Sequence, residues 1–266
     1  MPLGDSITHG KGSSDQKGYR QLLLDRLASA STSTSTNFSV TYVGNVHSPP
    51  GFPENAHEGH PGYPIGAVTS ASRPSLLRRP NVILCLAGTN DVVKNFDMAA
   101  AAPALSSLIE GLFSACPDAV VLVATLPPLL KPKRERKRVK FNEEVKTIIA
   151  GLETGGRKVG LVNLGTALEI KHINSTDGIH PVDQGYTVIA NEWYNAILSA
   201  EKRGWITPPV EVDVAALEAE ENAKSSALSL LHLATAGIIL VMVALAVRKL
   251  VFPAMHKYNL VPQFAS

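Results

Sequence analysis

The sequence has 266 residues, of which 45% are hydrophobic, and its 25 basic and 23 acidic side chains leave a formal net charge of +2. This composition is that of a globular protein, since it is too apolar for a disordered chain and too evenly charged for a nucleic-acid-binding protein. Two cysteines exclude a disulfide-rich scaffold, and the scattered histidines do not suggest a zinc site. We therefore expect no metal and no nucleic-acid partner.

Short apolar runs alternate with longer amphipathic stretches along residues 1–204, which we interpret as one domain. Apolar spacing, β-branched content and breaker residues predict the elements of this domain. In chain order they are a helix over 17–30, a low-complexity link over 31–36, a strand in FSVTYVG, a strand over 81–87, a helix over 100–115, a strand over 119–124, a helix over 141–152, a strand in VGLVNL and a helix over 184–202. The alternation predicts a three-layer α/β fold with a mostly parallel sheet.

The C-terminal part has a different character. Residues 226–248 are almost entirely apolar and long enough to span a bilayer, which predicts a single transmembrane helix; a buried C-terminal helix is the alternative. Residues 205–225 would form a linker and 249–266 a short tail. Because Arg248 and Lys249 follow the span, the positive-inside rule places the tail in the cytosol and the main domain in an extracellular or lumenal space. A tail-anchored protein with a cytosolic domain is the rival topology.

Three short motifs carry side chains suited to acyl transfer. GDS lies at 4–6, GTND at 88–91 directly after a predicted strand, and DGIHP at 177–181 just before the last helix. In a parallel α/β sheet, ligands bind at the carboxyl ends of the strands, where these motifs are expected to meet. Together they supply a hydroxyl, an amide, a carboxylate and an imidazole.

The hydroxyl of Ser6 needs a base to become a good nucleophile, and His180 can be that base if the fold brings it within hydrogen-bond reach. Asp177 stands three residues earlier, so a turn can fold its carboxylate back onto the imidazole, in the chain order Ser, Asp, His.

The oxyanion formed by the attack requires preorganised donors. The side chain of Asn90 and the backbone N–H of Ser6 are candidates. A glycine of the stretch HEGHPGY, either Gly59 or Gly62, could supply a third donor.

Taken in order, these motifs resemble the four blocks of the SGNH, or GDSL-type, hydrolase superfamily. The details LGDSIT, HEGHPG, LAGTND and DGIHP resemble its acetyl xylan esterase-like branch, carbohydrate esterase family three, over about residues 1–198. The resemblance implies a flavodoxin-like sandwich, no metal or organic cofactor, and catalysis through an acyl-serine. It implies roles for the following residues: Ser6 as nucleophile, His180 as general base, Asp177 as third triad member, and Ser6, Gly62 and Asn90 as oxyanion donors.

The resemblance also implies a full strand before the GDS turn. Only Met1, Pro2 and Leu3 precede Gly4, so we expect the first strand to be truncated.

The leading functional interpretation is a carboxylic ester hydrolase that deacetylates a carbohydrate or another small acyl ester. One alternative is a lysophospholipase- or thioesterase-type lipid ester hydrolase, and another is a catalytically silent, membrane-anchored binding module. The basic run over 131–140 is interpreted as a solvated loop and helix start, with attraction of an anionic substrate as the alternative. The expected partners are thus a small-molecule or polysaccharide ester and, through residues 226–248, a membrane.

Overall fold

The computed structural model of the chain describes residues 1–33, 39–52, 54–94, 98–213, 215–217 and 219. The chain divides into a compact unit over Met1–Val212 and a second unit that begins at Asp213, of which only the first few residues are described. The predicted transmembrane helix over 226–248 and the tail over 249–266 lie outside the described residues. Within the described ranges, no helix is long and apolar enough to cross a membrane.

A six-stranded sheet organises the first unit. Its strands are β1 (Pro2–Gly4), β2 (Val46–His47), β3 (Ala56–Gly59), β4 (Val82–Leu86), β5 (Val120–Ala124) and β6 (Val159–Val162). The spatial order is β2-β3-β1-β4-β5-β6, and every neighbouring pair is parallel except the antiparallel pair of β2 and β3. The predicted α/β fold with a mostly parallel sheet is therefore confirmed, and the short edge strand makes the sheet mixed.

Helices form two groups around this sheet. They are α1 (Ser6–His9), α2 (Arg20–Ser33), α3 (Ile65–Leu76), α4 (Thr89–Lys94), α5 (Met98–Ala115), α6 (Pro132–Thr154), α7 (Leu164–Ala167) and α8 (Asp183–Lys202), with a 3₁₀ turn at Ile170–His172. Helix α2 packs against α8, whereas α5 packs against both α3 and α6. Two helical groups of this kind are what a parallel sheet needs to bury both of its faces.

The core follows from the spacing of the apolar residues. All residues of β5 are buried, as are those of β4 after Val82, because a central parallel strand is covered on both faces. Helix α6 contributes Phe141, Val145 and Ile149, which recur every four residues and so lie on one buried face.

The first strand is short but central. All three of its residues pair with β4, Leu3 and Gly4 also pair with β3 on the other side, and Leu3 is fully buried. A Cβ atom at Gly4 would lie 2.0 Å from the carbonyl oxygen of Leu86, so only glycine allows this close approach of β1 to β4. The sheet order reverses at β1, and ligands of open α/β sheets bind at such a reversal, beyond the carboxyl ends of the strands. Asp5 and Ser6 follow β1 at this point.

Two elements differ from expectation. Residues 39–44 of the predicted strand FSVTYVG pair with no strand in the described part of the chain. Val40 and Val43 instead pack on the core, and the Tyr42 hydroxyl donates to the Arg20 carbonyl at 2.9 Å. Phe38 lies outside the described residues. Helix α6 begins at Pro132, nine residues before the predicted start at 141, so most of the basic run is helical rather than loop.

Candidate active site

The three predicted triad residues come together at the carboxyl edge of the sheet. The Oγ atom of Ser6 lies 2.8 Å from Nε2 of His180, and Nδ1 of His180 lies 2.7 Å from Oδ2 of Asp177. An ionised carboxylate can only accept hydrogen bonds, so Nδ1 carries the proton and Nε2 is left to accept from the serine hydroxyl. This is the tautomer in which an imidazole can take the proton of Ser6.

A turn holds the carboxylate of Asp177 beneath the imidazole. Its Oδ1 accepts from the backbone N–H groups of Ile179, at 2.8 Å, and His180, at 3.0 Å. Burial by itself would raise the pKa of Asp177, but the hydrogen bonds from the His180 side chain and from the two backbone N–H groups outweigh burial and hold that pKa below its usual range. The same hydrogen bonds favour the ionised form of Asp177, which accepts from Nδ1 of His180.

Serine 6 is presented by a very short helix, α1. The side chain of Asp5 caps this helix, because its Oδ1 accepts from the N–H of Ile7 at 2.9 Å. Asp5 is fully buried, and burial raises its pKa, an effect that the N–H of Ile7 partly offsets. Ser6 itself is only 5% exposed, so the hydroxyl lies in a largely water-excluded position next to His180.

The choice between the two candidate glycines follows from their N–H groups. The N–H of Gly59 donates to Nδ1 of His57 at 2.9 Å and so is already engaged. The N–H of Gly62 has no hydrogen-bond partner in the described part of the chain, and Gly62 adopts a φ of 84°, which favours glycine. Of the two glycines, Gly62 is thus the one whose N–H is available to a ligand.

Helix α4 fastens the loop that contains Gly62. The side-chain amide of Asn90 donates one N–H to the carbonyl of Tyr63 at 3.0 Å, which leaves its second N–H for a ligand. The Nζ atom of Lys94 donates to the carbonyl of Gly62 at 2.8 Å. Asp91 accepts from the N–H of Ile65 at 3.1 Å and so holds the start of α3.

A second set of buried polar side chains lies in β3 and against it. His57 is fully buried; because its Nδ1 accepts from Gly59, its Nε2 carries the proton and faces Oγ of Ser48 at 3.0 Å. The same hydroxyl lies 3.2 Å from Nε2 of His9. Burial, and then the nearby guanidinium of Arg20, lower the pKa of His57 to about 2, so this imidazole is neutral.

Glu58 is the neighbouring buried carboxylate. It lies 2.6 Å from Nε2 of His60 and accepts from the hydroxyl of Ser75 and the N–H of Asn45. Burial would raise the pKa of Glu58, but these hydrogen bonds outweigh burial and keep it below its usual range. His60 in turn donates its backbone N–H to the carbonyl of Gly4 at 3.0 Å, which connects the loop that contains Gly62 to the end of β1.

Sequence reasoning missed two of these contributors. The sequence predicts His57 and His60 as loop residues or substrate-edge contacts. His60 does follow β3, whereas His57 lies within β3 and is inaccessible. Lys94 was not singled out, although it stands one helical turn after Asn90, on the same face of a helix. That spacing is the signal that could have found it.

Comparison with known proteins gives a consistent result. Residues 3–188 match the GDSL-like lipase/acylhydrolase family. A family 3 carbohydrate esterase from Clostridium thermocellum is 30% identical, with a TM-score of 0.66 and an alignment covering 78% of this chain and 98% of that one. A family 3 carbohydrate esterase from Talaromyces cellulolyticus is 20% identical, with a TM-score of 0.63 and coverage of 76% and 97%, and so shares the fold.

An Acetivibrio thermocellus protein, named provisionally as endoglucanase X, is 30% identical over 119 residues, which make up 43% of this chain and 49% of that protein. The chain therefore spans about half the length of the curated relative that it matches.

Proposed function

The chain belongs to the GDSL-like lipase/acylhydrolase family and is a serine ester hydrolase, and from this premise we propose that it removes small acyl groups, acetyl above all, from a carbohydrate through an acyl-serine intermediate. The observation that carries the proposal is the continuous relay from Ser6 through His180 to Asp177, with separations of 2.8 and 2.7 Å.

In the first half-reaction, Oγ of Ser6 attacks the carbonyl carbon of the ester while Nε2 of His180 takes the hydroxyl proton. The imidazolium that forms is stabilised by the carboxylate of Asp177. The tetrahedral intermediate then breaks its bond to the alcohol, which leaves with the proton from Nε2, and the acyl group remains on Ser6.

The negative oxygen of the intermediate would be bound by the N–H groups of Ser6 and Gly62 and by the side chain of Asn90. Donors of this kind work because they are oriented before the charge develops, so no solvent has to reorganise. The hydrogen bonds from Lys94 to the Gly62 carbonyl and from Asn90 to the Tyr63 carbonyl hold the loop in place.

In the second half-reaction, water attacks the acyl carbon and gives a proton to Nε2 of His180. Ser6 then leaves as the alcohol by taking that proton back. The net products are the free alcohol of the carbohydrate and one carboxylic acid, with the enzyme returned to its starting state.

Support for a carbohydrate ester comes from the likeness to the Clostridium thermocellum family 3 carbohydrate esterase, which extends over 98% of that protein. The triad geometry is equally compatible with other alcohols, so the substrate class depends on that likeness.

The proposal is tested with p-nitrophenyl acetate, p-nitrophenyl laurate and acetylated xylan, together with a fluorophosphonate probe. We expect hydrolysis of acetate over laurate, release of acetate from the polymer, and one labelled residue, Ser6. Ser6→Ala should lose both hydrolysis and labelling, whereas Ser70→Ala, on the exposed face of α3, should keep both. A preference for laurate would contradict the carbohydrate substrate, and an unlabelled Ser6 would contradict the acyl-serine.

A further inference from the structure

A group of unpaired cations lies at the beginning of α6. Lys131, Lys133, Arg134 and Arg136, here called the α6 basic patch, have side chains without a hydrogen-bond or ion-pair partner in the ranges that the structure describes. Lys131, Lys133 and Arg136 are exposed and Arg134 is half-buried. Cations at the amino end of a helix oppose its dipole, so helix stability does not explain them.

Two other basic residues of the run are engaged in structural contacts. The guanidinium of Arg138 is buried, lies 2.5 Å from Oε1 of Glu135 and donates to the Leu126 carbonyl at 3.1 Å. Lys140 lies 4.0 Å from the carboxylate of Glu144. The only acidic residue within 131–140 is therefore paired with Arg138, and no ion pair in the described ranges offsets the charge of the α6 basic patch.

The patch is joined directly to the loop that carries the catalytic imidazole. Leu130 donates its N–H to the carbonyl of Gly178 at 3.0 Å, and Gly178 stands between Asp177 and His180. The carboxylate of Glu135 accepts from the N–H of Leu129 at 2.8 Å, which fixes the first turn of α6 against the segment that leads into it. The start of α6 is therefore adjacent to the loop that carries the catalytic imidazole.

We propose that the α6 basic patch binds the carboxylates of an acidic, uronate-bearing polysaccharide while one of the esters of that polymer lies at Ser6. The inference rests on the proposed function, because it names the substrate class of the same site. A membrane surface fits less well, since the apolar face of α6, with Phe141, Val145 and Ile149, is buried in the core and cannot insert into lipid.

The test compares two polymers of equal acetyl content: acetylated polygalacturonate, and the same polymer with its carboxyl groups reduced to alcohols before acetylation. We expect the wild-type protein to have a higher kcat/KM for the acidic polymer at low salt, and this preference should shrink at high salt because ions screen exposed charges. The triple variant Lys133→Gln, Arg134→Gln, Arg136→Gln should reduce the acidic-to-neutral ratio by about three- to tenfold, as expected for the loss of three charge contacts near the surface.

A matched triple variant removes the same charge elsewhere. Arg73→Gln, Arg78→Gln and Lys202→Gln replace exposed cations on α3, after α3 and on α8, and the ratio should stay at its wild-type value. Equal loss in both triple variants would show a general charge effect and overturn the inference, as would equal rates on the two polymers in the wild-type protein.

Failure of the proposed function is recognised separately, because p-nitrophenyl acetate and both polymers would then all remain uncleaved. Retention on vesicles containing phosphatidylserine, without any preference between the polymers, would overturn the inference in favour of a membrane.

Discussion

Replacing His57 by asparagine is expected to make the stability of the protein less sensitive to acid. In the folded protein the imidazole is neutral, because burial lowers its pKa from 6.5 to about 2. Its Nδ1 also accepts from the N–H of Gly59, so a proton on Nδ1 would place two hydrogen-bond donors, Nδ1–H and the Gly59 N–H, in contact with no acceptor between them. In the unfolded chain the same side chain is protonated below about pH 6.5.

The size of the effect follows from this difference. Between roughly pH 6.5 and pH 4.5 the unfolded chain binds a proton at His57 that the folded protein does not bind, so the free energy of unfolding falls as the pH falls. One pKa unit corresponds to about 1.4 kcal/mol, and integration over this interval gives a loss of about 2 kcal/mol. Above about pH 7.5 both states are neutral at this position and the contribution is constant.

Urea unfolding of the wild type and of His57→Asn at about pH 4.5, 5.5, 6.5 and 7.5 measures the effect. The variant will be less stable at every pH, because it loses buried contacts, but the difference between the two proteins should narrow by about 2.7 kcal/mol from about pH 7.5 to about pH 4.5. A difference that stays constant with pH would show that His57 titrates alike in both states, and the reasoning from its burial would be refuted.

Three further predictions concern the site. Asp177→Asn should lower kcat for p-nitrophenyl acetate by about four orders of magnitude, because the amide favours the wrong imidazole tautomer, as it does in serine-protease triads. A loss below tenfold would contradict the role of Asp177. Asn90→Ala should lower kcat by about two to three orders of magnitude through loss of an oxyanion donor, and a variant with normal turnover would make Asn90 a purely structural residue. Lys94→Met should lower kcat about three- to tenfold with little change in KM, because the Gly62 carbonyl loses one hydrogen bond. A rise in KM alone would instead show that Lys94 contributes to binding of the substrate in its ground state.

Much of the sheet could be predicted because its central strands are buried on both faces. Such strands consist of short apolar runs between breakers, and the predicted runs over 81–87 and 119–124 contain β4 and β5. Strand β3 could not be found in this way, since it includes a histidine and a glutamate. Their burial depends on partners elsewhere in the chain, such as Ser48 for His57 and Ser75 for Glu58, and no local pattern reports those contacts.

In the site, too, local motifs could be read from the sequence whereas contacts between distant residues could not. The motifs predicted which side chains meet, and Ser6, His180 and Asp177 do lie within hydrogen-bond distance. Composition could not decide between Gly59 and Gly62, because that choice depends on which N–H is already occupied by a buried imidazole.

The hydroxyl and the imidazole of the relay are 174 residues apart in the chain, although their atoms are 2.8 Å apart in space. Contacts of such long sequence separation form late, because a large loop must close, at a cost in entropy, before these contacts can stabilise the fold. A nascent chain still short of the last loop has its nucleophile from the outset but no base to deprotonate it. Hydrolytic activity during synthesis should therefore begin abruptly, once the segment around residue 180 has left the ribosome. Its onset would mark the point at which the last part of the site has been added.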